Sequence, residues 1–316
     1  MDNLTHGLTG AVLGQLGLKK KTGLGMATLI IAANLPDIDA LATLFGEYQS
    51  LALRRGVAHG PFGVLILPIL LTGVMIAFDR WQERRGKRPE KRLPIHKGWL
   101  LALAYIGAIS HPMLDYLNSY GVRFLEPFSD QWFYGDTLFI IDVWVWAALG
   151  IALWLSLRRE RRGRTDYRRP LIAIVAIVIA YVGANALISD RAQQLAAEQI
   201  RDMRGESAEL VIANNVPIAF WVRDIRWRGQ GEIGSGRFTL FGGEDMVTLN
   251  DDVRPDGMDT VDWDAVIAEN PDVRPYLFWS RMPFIERRDG RILLRDQRFT
   301  FDGIGDRFTV DITPAE

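Results

Sequence analysis

The sequence predicts a polytopic α-helical membrane domain of about six transmembrane helices, followed by a smaller β-rich (α+β) soluble domain. Three observations predict it. Apolar residues are concentrated in residues 1–190, where they form long runs, whereas 191–316 are mixed, charged and rich in Asp, Arg and Gly. Every second loop between the runs is strongly basic, as short cytoplasmic loops are. In the later part, apolar and polar residues alternate in short stretches punctuated by Gly, Pro and Asp, as in strands with one solvated face. The chain is therefore read as a membrane domain over 1–190 and an extracytoplasmic domain over 191–316.

The first helix is read from Leu4 to Leu18, with Gly7, Gly10, Gly14 and Gly17 at the spacing that lets helices approach closely. No basic residue precedes it and Lys19, Lys20 and Lys21 follow it, the reverse of a cleavable signal peptide, so it is expected to stay. It is short for a span of about 20 residues. The second runs from Thr22 to Leu35 and meets Pro36, which removes a backbone donor and ends the helix. Further helices are read over 61–78, 97–117, 138–157 and 170–188. An amphipathic stretch follows from Arg191 to Met203, then strands over 209–212, 218–227, 237–241, 290–295 and 307–312.

The basic loops hold Lys19 to Lys21, Arg80 to Arg92 and Arg158 to Arg169; the alternate loops, 37–60 and 118–137, carry only Arg54, Arg55 and Arg123. This places the amino terminus and residues after 190 outside the cytoplasm. The chain has no cysteine, which removes disulfides, thiolate metal ligands and a cysteine nucleophile. A net charge of −1 and the lack of a basic, aromatic-studded face exclude a nucleic-acid partner.

On that topology the chemistry-bearing residues converge. His111 and Asp115 stand four apart on one helix face, a pair that can grip one metal ion. His6, Asp37, Asp39, His59, Asp136 and Asp142 are expected at the same outer membrane face; among the histidines only His96 is not, and it is read as the start of its helix. Ionisable groups at membrane depth are costly unless paired or bound to metal, so Asp142 ranks above Asp136. His6, Asp37, His59, His111 and Asp115 are the expected metal ligands, with Asp39 and Asp142 as further ligands or the general base. The donors are imidazole and carboxylate, which suit a divalent metal, zinc first and manganese or iron next, as one ion or two. Arg54-Arg55-Gly56 precedes His59, and an arginine there can hold a phosphate through a bidentate pair; Arg55 is the residue assigned.

Four motifs in order carry a resemblance: Asp2-x-x-Thr5-His6-x-x-x-Gly10, Asn34-x-Pro36-Asp37-x-Asp39, Arg55-Gly56-x-x-His59-Gly60 and His111-Pro112-x-x-Asp115-x-x-Asn118-x-Tyr120-Gly121, followed by Asp142. They resemble the YdjM-like family of membrane-bound, metal-dependent hydrolases over residues 1 to about 145, and more weakly beyond through Asn215-x-Pro217 and Trp221. Ala58 and Gly60 stand where members usually show Thr and Ser. The resemblance implies a bacterial inner-membrane hydrolase with phospholipids as substrates. The reading is an integral-membrane, metal-dependent hydrolase that cleaves a phosphoester or acyl ester of a membrane lipid at the outer face. The alternatives are a polyprenyl-diphosphate phosphatase and a non-enzymatic metal or ion carrier. The carrier predicts polar residues continuing through the bilayer, and the cytoplasmic halves of these helices read as almost wholly apolar.

Overall fold

The structure is a computed structural model and describes residues 1–243, 245–300 and 307–314. Its helices are α1 (Asn3–Gln15), α2 (Gly25–Ala32), α3 (Glu47–Leu53), α4 (Pro61–Arg84), α5 (Lys97–Tyr116), α6 (Val143–Arg161), α7 (Arg169–Arg204), α8 (Trp263–Glu269) and α9 (Val273–Trp279), with a 3₁₀ segment over Leu35–Phe45. Its strands are β1 (Leu210–Asn215), β2 (Val222–Gly229), β3 (Glu232–Thr239), β4 (Val247–Leu249), β5 (Arg254–Pro255), β6 (Pro283–Arg288), β7 (Arg291–Asp296) and β8 (Thr309–Asp311). The chain divides into two compact units, Met1–Ala40 with Arg54–Ala184, and Leu41–Leu53 with Asn185–Glu316. The boundary expected at 190 lies between Ala184 and Asn185, and Leu41–Leu53, expected in the first part, belongs to the second unit.

In the first unit α2 lies between α1 and α5, and two glycines set how close it comes. A Cβ at Gly10 of α1 would sit 2.7 Å from the Leu29 carbonyl oxygen, and one at Gly107 of α5 would sit 2.6 Å from Ala32 Cβ. No larger residue fits either crossing without moving a helix. Leu71 and Met75 of α4 and Leu100 and Ala104 of α5 pack with Ala32 on one side. On the other, Val12 of α1 packs with Val145, Leu149 and Ala152 of α6 and Leu171 of α7. Asp2 caps α1 by accepting from the Leu4 and Thr5 amides, and Trp146 Nε1 donates to Asp2 and Thr5, which ties α1 to α6.

Among the described residues, two helices are long and apolar enough to cross a membrane, Pro61–Arg84 and Arg169–Arg204. A third crossing arises if α2 and the 3₁₀ segment, bent by 40°, count as one. Six crossings were expected, and the difference has a physical reason in each remaining helix. With 13 residues, α1 is only about 20 Å long. In α5, Ser110, His111 and Asp115 interrupt the apolar run. The last turn of α6 is crowded with Arg158, Arg159, Glu160 and Arg161.

In the second unit β1 to β4 pair in order as an antiparallel sheet, with β5 added to β3. Alternate residues of β2 point inward, and Ile225 packs with Ala213, Phe238 and Ala192 and Ala196 of α7. The expected break between a helix at 170–188 and an amphipathic stretch from 191 is absent: α7 runs through, since no Pro or Gly interrupts 184–204 and helix-forming Ala, Gln, Glu and Arg dominate it. A second antiparallel sheet, β6-β7-β8, accompanies α9 and α3. Tyr48 of α3 donates to the Thr309 carbonyl and Gln49 Nε2 donates to Asp272 at 2.9 Å.

Candidate metal centre

Two histidines and a carboxylate meet where α5 ends and the chain enters α4. The backbone between Arg55 and Gly60 turns tightly, with the His59 and Gly60 amides both donating to the Gly56 carbonyl at 2.8 Å. Arg55 itself adopts φ 54°, a conformation costly for a side chain with Cβ. It is held there by its amide donating to Asp39 Oδ2 at 2.7 Å and its carbonyl accepting from the Arg123 amide at 2.8 Å. His111 and Asp115 share one face of α5, as their spacing of four requires.

The ligand atoms lie at coordination spacing. A tetrahedral ion with bonds of about 2.1 Å holds its ligands about 3.4 Å apart. Here His59 Nε2 is 3.1 Å from His111 Nε2 and 3.2 Å from Asp115 Oδ2, while His111 Nε2 is 3.5 Å from Asp115 Oδ2 and 3.6 Å from Asp37 Oδ1. One atom from each of Asp37, His59, His111 and Asp115 falls within 4.8 Å of all the others.

The orientation of the rings agrees. His111 Nδ1 donates to the Ala33 carbonyl at 2.6 Å; a carbonyl only accepts, so in the neutral ring the lone pair is on Nε2, which faces the cluster. His59 Nδ1 is 3.1 Å from Asp39 Oδ2, within ion-pair reach but off the hydrogen-bond line, and its Nε2 also faces inward. His6 stacks on His111 with ring centroids 3.7 Å apart, and its Nε2 is 3.3 Å from Asp115 Oδ1. Both His6 ring nitrogens and Asp115 Oδ2 are buried without a hydrogen-bond partner. Buried lone pairs facing one another across 3 to 4 Å repel unless a cation lies between them, so the donor set fits a metal ion.

Cations already balance part of the charge. Arg55 Nε is 3.0 Å from Asp115 Oδ2, and the amino group of Met1 bonds Asp115 Oδ1. Arg55 Nη1 donates to Asn118 Oδ1 at 2.8 Å and the Gly121 carbonyl at 3.2 Å, and Tyr120 lies 4.6 Å beneath the guanidinium. Arg54 is 3.4 Å from Asp37 Oδ1 and 3.8 Å from Asp39 Oδ1.

Of the residues assigned from sequence, Asp37, His59, His111 and Asp115 form the group, and His6, Asp39 and Arg55 border it. Asp142 is not brought in. It is the N-cap of α6, with Oδ1 accepting from the Trp144 and Val145 amides at 3.0 Å and Oδ2 from the Tyr181 hydroxyl at 3.0 Å, so it is committed as helix cap and inter-helix bond. His96 caps α5 by accepting from the Trp99 amide. The Ala33 carbonyl carries no sequence signal, because every residue has one.

A family model described as "YdjM inner membrane protein" matches residues 1–192, a range that holds the whole cluster. No curated protein and no solved structure matches the chain.

Proposed function

Since the chain belongs to the YdjM inner membrane protein family, we propose that it is a membrane-embedded, metal-dependent hydrolase that cleaves a phosphoester or acyl ester of a membrane lipid. The observation that carries this reading is the convergence of Asp37 with the buried His59, His111 and Asp115 within 4.8 Å, at coordination spacing. These four hold the ion, zinc by donor type, with His6 ready as a further ligand on the Asp115 Oδ1 side. When bound, the ion supplies Lewis-acid activation of water and of the ester oxygen.

The remaining roles fall to groups of the chain itself. Asp39 lies 3.1 Å from His59 Nδ1 through Oδ2, and its Oδ1, buried without a hydrogen-bond partner, is the carboxylate oxygen left to accept a proton. Arg55 balances the buried Asp115 carboxylate and fixes Asn118, so it is a positioning residue. The alternation of basic loops supports a site at the outer face of the membrane, with the amino terminus and the second unit outside the cytoplasm.

Elemental analysis and a lipid-hydrolysis assay of the purified chain test the reading together. Wild type is expected to carry zinc and to cleave a phospholipid or polyprenyl diphosphate, and His111→Ala and Asp115→Ala are expected to lose both while still inserting in the membrane. Hydrolysis undiminished in either variant, or metal flux into proteoliposomes with no hydrolysis, overturns it.

A further inference from the structure

Two adjacent arginines reach the cluster, and the structure gives them different tasks. The Arg55 side chain is 4% exposed; its Nε and Nη1 are committed to Asp115, Asn118 and the Gly121 carbonyl, and Tyr120 covers its face. It has little capacity to meet a substrate. The Arg54 side chain is 33% exposed. Its separations of 3.4 Å from Asp37 and 3.8 Å from Asp39 exceed the 2.7 to 2.9 Å or so of a tight charge-assisted bond, and its Nε has no hydrogen-bond partner.

Exposure also sets the direction of approach. The side chains of His6, His59, His111 and Asp115 are 0% exposed, while Asp37 and Asp39 are 11% and 10% exposed. The cluster therefore opens on the side of Asp37, Asp39 and Arg54. The two carboxylates at the opening, with Asp115 buried behind them, repel an anion, and Arg54 is the cation placed across the two that line it. A planar guanidinium fork matches two oxygens of a phosphate, whereas the carbonyl of an acyl ester offers it neither charge nor a second oxygen.

We infer that Arg54 is the specificity-determining residue of the site and selects a phosphate ester, presenting its guanidinium to the phosphate oxygens at the open side while Arg55 stays bound to Asp115. This rests on the hydrolase reading and narrows it from phosphoester or acyl ester to phosphoester.

The full chain in detergent micelles, zinc-loaded and metal-free, is titrated calorimetrically with inorganic phosphate and with dihexanoyl phosphatidate, for wild type, Arg54→Gln and Arg54→Lys, and zinc is measured in each sample. Wild type is expected to bind both probes; Arg54→Gln weakens each about tenfold, the equivalent of one hydrogen bond to a charged partner. Arg54→Lys, which keeps the charge and loses the fork, falls between, and all three hold the same zinc. Tighter binding of phosphatidate names the lipid headgroup as the source, and equal binding names free phosphate. Wild-type affinity in Arg54→Gln, no binding of either probe by wild type, or loss of zinc from Arg54→Gln each overturns the inference. Absence of any divalent metal from wild type defeats the hydrolase reading instead, and the metal-free titrations then decide the role of Arg54.

Discussion

At Asp115 one buried carboxylate is approached by His6 and the Met1 amino group on Oδ1, and by Arg55, His59 and His111 on Oδ2. Removing one partner of a buried ion pair costs about 3 to 5 kcal/mol, because the other charge is left uncompensated. Arg55→Gln is therefore expected to lower the melting temperature markedly, and Asp115→Asn added to it is expected to recover part of the loss; a double-mutant cycle by calorimetry measures the coupling. In the second unit the burial of Asp296 pushes its carboxyl up, but the Arg298 guanidinium and the bonds from Arg298 and Ser280 outweigh this and hold it below its ordinary 3.8. A depressed folded value contributes stability above the unfolded value and loses it as the pH falls through the folded one. Thermal melts between about pH 5 and pH 3 are expected to show that loss, and Asp296→Asn to flatten it, at the cost of lower stability at neutral pH. The grouping of Asp37, His59, His111 and Asp115 was legible in the sequence, since a His or Asp at the end of an apolar run has few bland explanations. Asp142 shows the limit of that logic: a carboxylate just before a helix has the same appearance as a cap and as a ligand, and here it caps. Nor can two neighbouring arginines be told apart before the backbone at Arg55 is seen to turn left-handed and bury one of them.

The site depends on how closely α2 fits between α1 and α5, because the residues just beyond α2 supply the Ala33 carbonyl and Asp37. Gly10→Val places a methyl-bearing carbon against the Leu29 carbonyl, and Gly107→Val does the same against Ala32. Both are expected to reduce metal content and melting temperature in parallel, although neither touches Asp37, His59, His111 or Asp115. Gly73→Ala on α4, where an added Cβ meets nothing within 4 Å, is expected to hold zinc as wild type does and to melt no lower. Circular dichroism melts and elemental analysis on the three variants check this. The glycine spacing in α1 was visible in the sequence as a packing stripe; its partner Gly107 was not, as one small residue in an apolar run has no periodicity to reveal it. Two or three of the six expected spans stand out by length and composition; α5 does not, because it gives part of a turn to His111 and Asp115. Strand positions were legible to within a few residues where alternation held, as in β2, but β6 and the short β4 and β5 were not anticipated.

For the molecule as a whole, the absence of cysteine makes topology directly measurable, because any introduced thiol is unique. With an impermeant maleimide on intact cells, Gln131→Cys and Glu206→Cys are expected to label, and Gly86→Cys, in the basic loop after α4, only after permeabilisation. The reverse pattern places the cluster at the cytoplasmic face. The division between a helical first unit and a strand-rich second was visible in composition, but the excursion at Leu41–Leu53 was not, since its seat on α9 and β8 is made by residues far along the chain. That excursion begins and ends beside Asp39 and Arg54. Shortening the protein at Ala184 would strand it: Ser50 and Leu51, buried in the second unit, would face water with no covering, and the loosened loop would leave Asp39 and Arg54 at its two ends less firmly placed. A truncated protein that no longer holds zinc would report that orphaned loop and give no sign of a ligand in the deleted part, so a clean dissection must excise both pieces and bridge Ala40 to Arg54 with a short neutral linker.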